Sequence, residues 1–153
     1  MEEVSLRELT QDDLPTIFVI TSDPIGAEMV GLPVRDEETF YAHRAKNMAN
    51  PDNQMLAIML GDQLVGDLVS WPDEEGHRRV GYWLDRQYWG RGIATAALTA
   101  FLAAQKERPL YADVSTANPG SLRVLQKCGF RMLAEGEPGH GGDPAEFFLR
   151  LDG

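Results

Sequence analysis

The chain has 153 residues, 43% of them hydrophobic and 8% aromatic, which suits one domain spanning residues 1–153 with a sizeable core. Its formal net charge of −10 argues against a nucleic-acid ligand, which demands a basic face, and weakly favours a cationic partner such as an amine. No apolar run nears the ~20 residues of a membrane span, and the start MEEVSLREL lacks the basic and apolar regions of a secretory leader, so no membrane partner is expected and cytoplasm is the expected compartment.

Taken in order, Val4 to Leu9 alternates apolar and polar residues and predicts a first strand. A helix follows. Thr10 and Asp13 spell a capping box with Leu9 and Leu14 as a staple, but Asp12 or Asp13 as the cap keeps Pro15 in the permissive first turn and is preferred. Leu14, Ile17 and Phe18 form its inner face. Ser22 to Pro33, with its glycines and prolines, reads as a loop, and Asp36 to Met48 as a second helix. Met55 to Leu60 and Gln63 to Trp71 form a hairpin about Gly61-Asp62, Pro72 to Gly76 is an acidic loop, and Val80 to Leu84 is the next antiparallel strand.

Asp85 to Tyr88 is a polar break. Next comes Trp89-Gly90-Arg91-Gly92-Ile93-Ala94-Thr95, opening a helix whose apolar face repeats Ile93, Ala97, Phe101 and Ala94, Leu98, Leu102, and which Pro109 closes. Two glycines permit tight dihedrals and expose successive amides. The helix dipole adds roughly half a positive charge at that end. An anion, best a pyrophosphate, is expected there. A plain connecting turn would carry the same glycines. A P-loop lacks its Gly-Lys-Ser or Gly-Lys-Thr, and a dinucleotide fingerprint, suggested by Gly90, Gly92 and Asp113, has Thr95 where its third glycine belongs.

Leu110 to Val114 reads as a buried strand. Asn118 then caps a helix with Pro119 at its first position and Leu122, Leu125 and Cys128 on one face, until Gly129 ends it before Phe130. Arg131 to Glu135 is a strand, Gly136 to Pro144 a glycine-rich loop, and Ala145 to Leu151 a last strand. The lone Cys128 excludes an internal disulfide and suits packing. His43, His77 and His140 lack ligand spacing, so no metal is expected.

Pattern alone gives an α+β domain with a mixed sheet. The turn at Trp89 to Ala94 and the block Asn118-Pro119-Gly120-Ser121 running to Gly129-Phe130 resemble the acetyl-CoA motifs of the GNAT N-acetyltransferase superfamily. They are most similar to its ribosomal-protein alanine or serine N-acetyltransferase branch, in which Tyr-Trp-Gly-x-Gly is frequent. Trp89 stands where many members have Arg or Gln.

The resemblance implies a twisted, mostly antiparallel sheet with helices on both faces. It further implies acetyl-CoA bound by Leu84, Trp89, Gly90, Arg91, Gly92, Ile93, Ala94, Thr95 and Asn118, and an acetyl transfer to a primary amine of a protein N-terminus or a small molecule. Pantetheine would pair along Val80 to Leu84, where that strand splays from Leu110 to Val114. Leu125 occupies the place of the usual tyrosine, and Ser121, which resembles the serine that some ribosomal-protein acetyltransferases use to protonate the leaving thiolate, is the implied proton donor. The strand Val80 to Leu84 carries no carboxylate, so Asp67, Glu74, Glu75, His77, Asp113 and Glu146 are the candidate bases, Asp67 and Glu146 first. Phe40, Tyr41 and Arg44 border the implied acceptor site, although the residues alone favour surface or packing roles for them. A non-catalytic acyl-CoA-binding module of the same fold is the alternative, and a homodimer stays open.

Overall fold

A computed structural model describes residues 3–153; of the stretch read against a leader, Met1 and Glu2 lie outside the described residues. The strands are β1 (Val4–Glu8), β2 (Gln54–Leu60), β3 (Gln63–Pro72), β4 (Arg78–Leu84), β5 (Leu110–Ser115), β6 (Arg131–Met132) and β7 (Glu146–Leu151). They form one sheet in the order β1-β2-β3-β4-β5-β7-β6. Every adjacent pair is antiparallel except β4 and β5. Those two run parallel and pair only at Arg78 with Leu110 and Arg79 with Tyr111. Beyond Arg79 they diverge, and the backbone edges facing the opening need other partners.

The sheet separates two helical layers. On one side lie α4 (Ile93–Ala104) and α5 (Pro119–Lys127), whose Ile93, Leu98, Phe101 and Leu125 pack on Ile58, Leu68, Val80 and Leu84. On the other lie α1 (Leu14–Thr21) and α3 (Glu37–Ala49), whose Leu14, Ile17 and Phe40 pack with Ala57 and Trp83. The period of two is visible in adjacent pairs: Ala57 and Ile58, or Trp83 and Leu84, go to opposite layers. Complete burial of side chains such as Phe101 and Leu98 stabilises by roughly 1.5–3 kcal/mol each. A bulge at Val65 leaves Ile58 paired with Gly66 and Met59 with Leu64. It bends β3 beside the end of β4, where Gly66 faces Leu84.

The structure departs from the sequence expectations at four places. The stretch read as a loop from Ser22 to Pro33 contains a helix, α2 (Pro24–Val30). Asp23 caps it by accepting from Ile25 N–H at 3.2 Å, Pro24 takes the first turn, and Gly31 ends it at φ +82°. Before α1 the Thr10 and Asp13 box forms in place of the preferred Asp12 or Asp13 cap, because the Asp13 carboxylate accepts from Thr10 and Arg7 and makes no cap bond to α1. Thr10 and Asp13 close a capping box around a short 3-10 turn, and Asp13 then precedes α1, with Pro15 in the first turn. Helix α4 stops at Ala104, short of Pro109, because the Arg108 guanidinium turns back to donate to the Gln105 and Leu102 carbonyls. Finally, β6 covers only Arg131–Met132 rather than extending to Glu135, since the Glu137 carboxylate folds back onto the Ala134 N–H and turns the chain.

Candidate active site

The site begins at the end of β4. Asp85 N–H donates to Val65 C=O at 2.8 Å, so the alternation of a strand turns the Leu84 amide the opposite way, toward the opening between β4 and β5. Leu84 C=O accepts a hydrogen bond from Trp89 Nε1 at 2.9 Å. That bond ties the turn to the strand and fixes where α4 starts.

Gly90 and Gly92 sit at φ +74° and +77°, a region costly for any residue with a Cβ. Nothing lies within 4 Å of a Cβ built on either, so the space over the turn is open. Among the described residues, none of the amides from Gly90 to Thr95 finds a protein acceptor, and the helical ladder begins with Ala96 N–H donating to Gly92 C=O at 3.1 Å. Consecutive bare N–H groups at the positive end of a twelve-residue helix make a cradle for an oxyanion.

A cavity of about 490 Å³ covers this turn, within the range typical of small-molecule sites. Ser121 and every residue expected to bind the co-substrate line it except Arg91, whose guanidinium lies 5.4 Å from the centre of the Tyr88 ring. Asn118 Oδ1 accepts from Ser121 N–H at 3.2 Å and so caps α5. Ser121 Oγ stands 2.7 Å from the Tyr82 hydroxyl. Sequence alone does not single out Tyr82. Its signal is register: it shares the α5-facing side of β4 with Val80 and Leu84. Burial pushes its hydroxyl up to about 12, so it is neutral and able to donate across the physiological range.

A second cavity, of about 810 Å³, lies on the α3 side of the sheet. Both cavities are lined by Tyr82, Trp83, Asn118 and Ser121, so they meet at the opening between β4 and β5. Helix α2 contributes Val30 to both and is anchored at Asp23 by Arg86 Nε, 2.7 Å away.

The candidate bases separate clearly. Asp67 is 3% exposed and ion-paired with Arg44. Glu74 lines the second cavity but is exposed, Glu75 is exposed and lines neither cavity, and His77 stacks on Tyr111 at 4.6 Å. Asp113 and Glu146 line the second cavity together. Burial and the neighbouring Asp113 push the Glu146 carboxyl up to about 7, with Asp143 adding to the effect and Arg79 opposing it. Of the residues read as bordering an acceptor, Phe40 is core, Tyr41 packs edge-on against it, and Arg44 faces the cavity while held by Asp67.

A family model described as an acetyltransferase (GNAT) domain matches residues 3–131. The chain belongs to the GNAT acetyltransferase family. Among solved structures it is similar to an acetyltransferase from Thermus thermophilus, with a TM-score of 0.82 and 21% identity over 99% of both chains. It is also similar to a ribosomal L7/L12 alpha-N-protein acetyltransferase in complex with coenzyme A, with a TM-score of 0.79 and 18% identity over 97% of this chain and 93% of that one. Spermidine N-acetyltransferase from Vibrio cholerae, in complex with CoA and spermine, superposes with a TM-score of 0.76 and 15% identity over 96% and 92%. Among curated proteins no sequence matches. The mixed, seven-stranded sheet with helices on both faces is the fold of this family.

Proposed function

We propose that the protein transfers the acetyl group of acetyl-CoA to a primary amine, on a protein N-terminus or a small molecule. The observation that carries this reading is the row of bare amides at Gly90 to Thr95, opening into a cavity that leads to the paired Tyr82 and Ser121 hydroxyls. The amides suit the pyrophosphate of acetyl-CoA, and the free edge of β4 suits its pantetheine amides. Bound there, the co-substrate supplies an activated acyl group. The spelling Tyr88-Trp89-Gly90-Arg91-Gly92 favours the branch that acts on ribosomal-protein N-termini.

The remaining work belongs to side chains and one amide. Leu84 N–H faces the opening and is placed to stabilise charge on the thioester oxygen, a contribution worth roughly 3 kcal/mol of barrier. As the amine nitrogen bonds to the acyl carbon and the carbon–sulfur bond breaks, Ser121, backed by Tyr82, donates a proton to the leaving sulfur. Glu146 takes the proton lost by the amine. A lysine-like amine is only ~0.04% neutral at pH 7, whereas an α-amine with a pKa near ~7.8 is about one-tenth neutral, so the latter asks less of this carboxylate.

The test is thiol release from acetyl-CoA with a broad panel of amines, beside calorimetry of acetyl-CoA alone. Binding plus amine-dependent release is expected. Binding without release on any amine would assign a non-catalytic carrier-binding module instead.

A further inference from the structure

The second cavity has a charge pattern that the transfer reaction does not require. In a chain of net charge −10, its α3 side gathers Arg35, His43 and Lys46, while Glu74, Asp113 and Glu146 also line it. Among the described residues Arg35 and Lys46 form no ion pair, whereas Arg44 between them is neutralised by Asp67. Arg35 and Lys46 both stand near His43, whose imidazole is held below its ordinary range by burial and then by Arg35, Arg44 and Lys46, so it offers the cavity a neutral ring and not a third charge. Two unpaired cations on one wall give that end of the cavity a positive potential that favours an anion.

Asp113 and Glu146 lie across the sheet on β5 and β7, with Arg79 3.9 Å from Asp113, whereas Glu74 sits in the loop between β3 and β4. Glu146 on β7 pairs with Ser115 at the end of β5, directly before the Asn118 cap and Ser121. Arg44 on α3 reaches Asp67 on β3, which places the α3 end of the cavity over that strand. In the sheet order β5 and β7 lie two and three strands from β3, and because β4 and β5 diverge here the separation is at least about 10 Å. The acidic end therefore sits by the reacting centre and the cationic end away from it.

From this arrangement we infer that the acceptor is an amine carrying its own anionic group, on the order of 10 Å from the nitrogen. Its ammonium rests against Glu146 and Asp113, and its carboxylate or equivalent anion rests against Arg35, His43 and Lys46. A polyamine puts positive charge at both ends and meets the unpaired Arg35 and Lys46 on the α3 side. This narrows the acceptor within the acetyl-transfer reading and rests on it. An extended peptide gains about 3.3–3.6 Å per residue, so a tripeptide with an acidic last residue spans the required distance.

The experiment compares Ala-Ala-Glu, Ala-Ala-Lys-amide and spermidine as acceptors for the full-length protein and for a double variant, Arg35→Glu with Lys46→Glu, whose melting temperature is checked alongside. The expected result is at least ~10-fold higher kcat/KM for Ala-Ala-Glu than for either cationic acceptor. The variant should raise KM for Ala-Ala-Glu ~10-fold, leave kcat within about twofold, and narrow or invert the preference. Equal use of the three, preference for spermidine, or an unmoved KM in a folded variant would overturn the inference. If no amine releases thiol although acetyl-CoA binds, the acetyl-transfer reading is what fails. Calorimetry of N-acetyl-Ala-Ala-Glu on both proteins then decides the charge rule separately: binding weakened by charge reversal supports it, and no binding or no difference overturns it.

Discussion

The two cavities that meet beside β4 are built from different materials. On the α4 side the walls that matter are backbone: amides from Gly90 to Thr95 without protein acceptors, and glycines whose missing Cβ atoms leave the space open. On the α3 side they are side chains drawn from α3, β3, β5 and β7. The contrast teaches that the first cavity is specified by one local stretch and the second only by the assembled sheet. Substitution should therefore act on binding of a common anion in one and on choice and proton traffic in the other.

The largest effect is expected at the backbone-built side. Gly92→Glu puts a carboxylate where the amides invite an anion and forces a residue with a Cβ to φ +77°. Acetyl-CoA affinity, measured by calorimetry, should fall by ~100-fold or more, a loss of roughly 2.7 kcal/mol of binding. The fold should survive, because a Cβ there meets nothing within 4 Å. Retained affinity would erase the contrast between the two sides.

On the side-chain-built side, Glu146→Gln should cut kcat/KM by roughly 10²-fold, the usual scale of a lost general base. The raised carboxyl acts as a base only when ionised, so wild-type activity should climb through its pKa of about 7. In the variant that step should vanish while acetyl-CoA binding stays within about twofold. Burial raises the step most, Asp113 and Asp143 raise it further, and Arg79 lowers it.

At the junction, Tyr82→Phe and Ser121→Ala share one hydrogen bond of 2.7 Å. Each should slow turnover by roughly 10-fold or more with little change in acetyl-CoA affinity, and the double variant should cost less than the product of the two. Full additivity would mean that they act independently.

The smallest effect lies outside both cavities. Asp13, with a side chain 10% exposed, is held at about 2 by its hydrogen bond to Arg7, despite opposing desolvation. Its folded-state pKa is depressed, so its contribution is complete above the unfolded value near ~3.9 and is lost as pH falls toward about 2. Arg7 is 44% exposed, and solvent screening reduces the benefit to ~1–2 kcal/mol. Asp13→Asn should lower stability by that amount at pH 7 in denaturant titration, and the gap to wild type should close in acid.

The same contrast explains what can be read from the residues before any folding is considered. The strand from Val80, the turn at Gly90 and Gly92, the helix from Ile93 and the Asn118 cap are local, each announced by periodicity or a special residue. Helix α2 also has local signals, Asp23, Pro24 and Gly31, but the glycine and proline density of that stretch favours a loop. The difference between Asp67 and Glu146 has no local signal. Arg44, which neutralises Asp67, is 23 residues away, and Asp113, which helps raise Glu146, is on the neighbouring strand. Tyr82 and Ser121, 39 residues apart, become partners only when α5 docks beside the splayed end of β4.

The most direct test follows the backbone amide resonances of the labelled protein during titration with acetyl-CoA. The amides of Gly90, Arg91, Gly92, Ile93, Ala94 and Thr95 should show the largest saturable shifts, together with Leu84 at the strand edge. Saturable binding that moves other amides and leaves this row unchanged would contradict the assignment of the pyrophosphate to the turn.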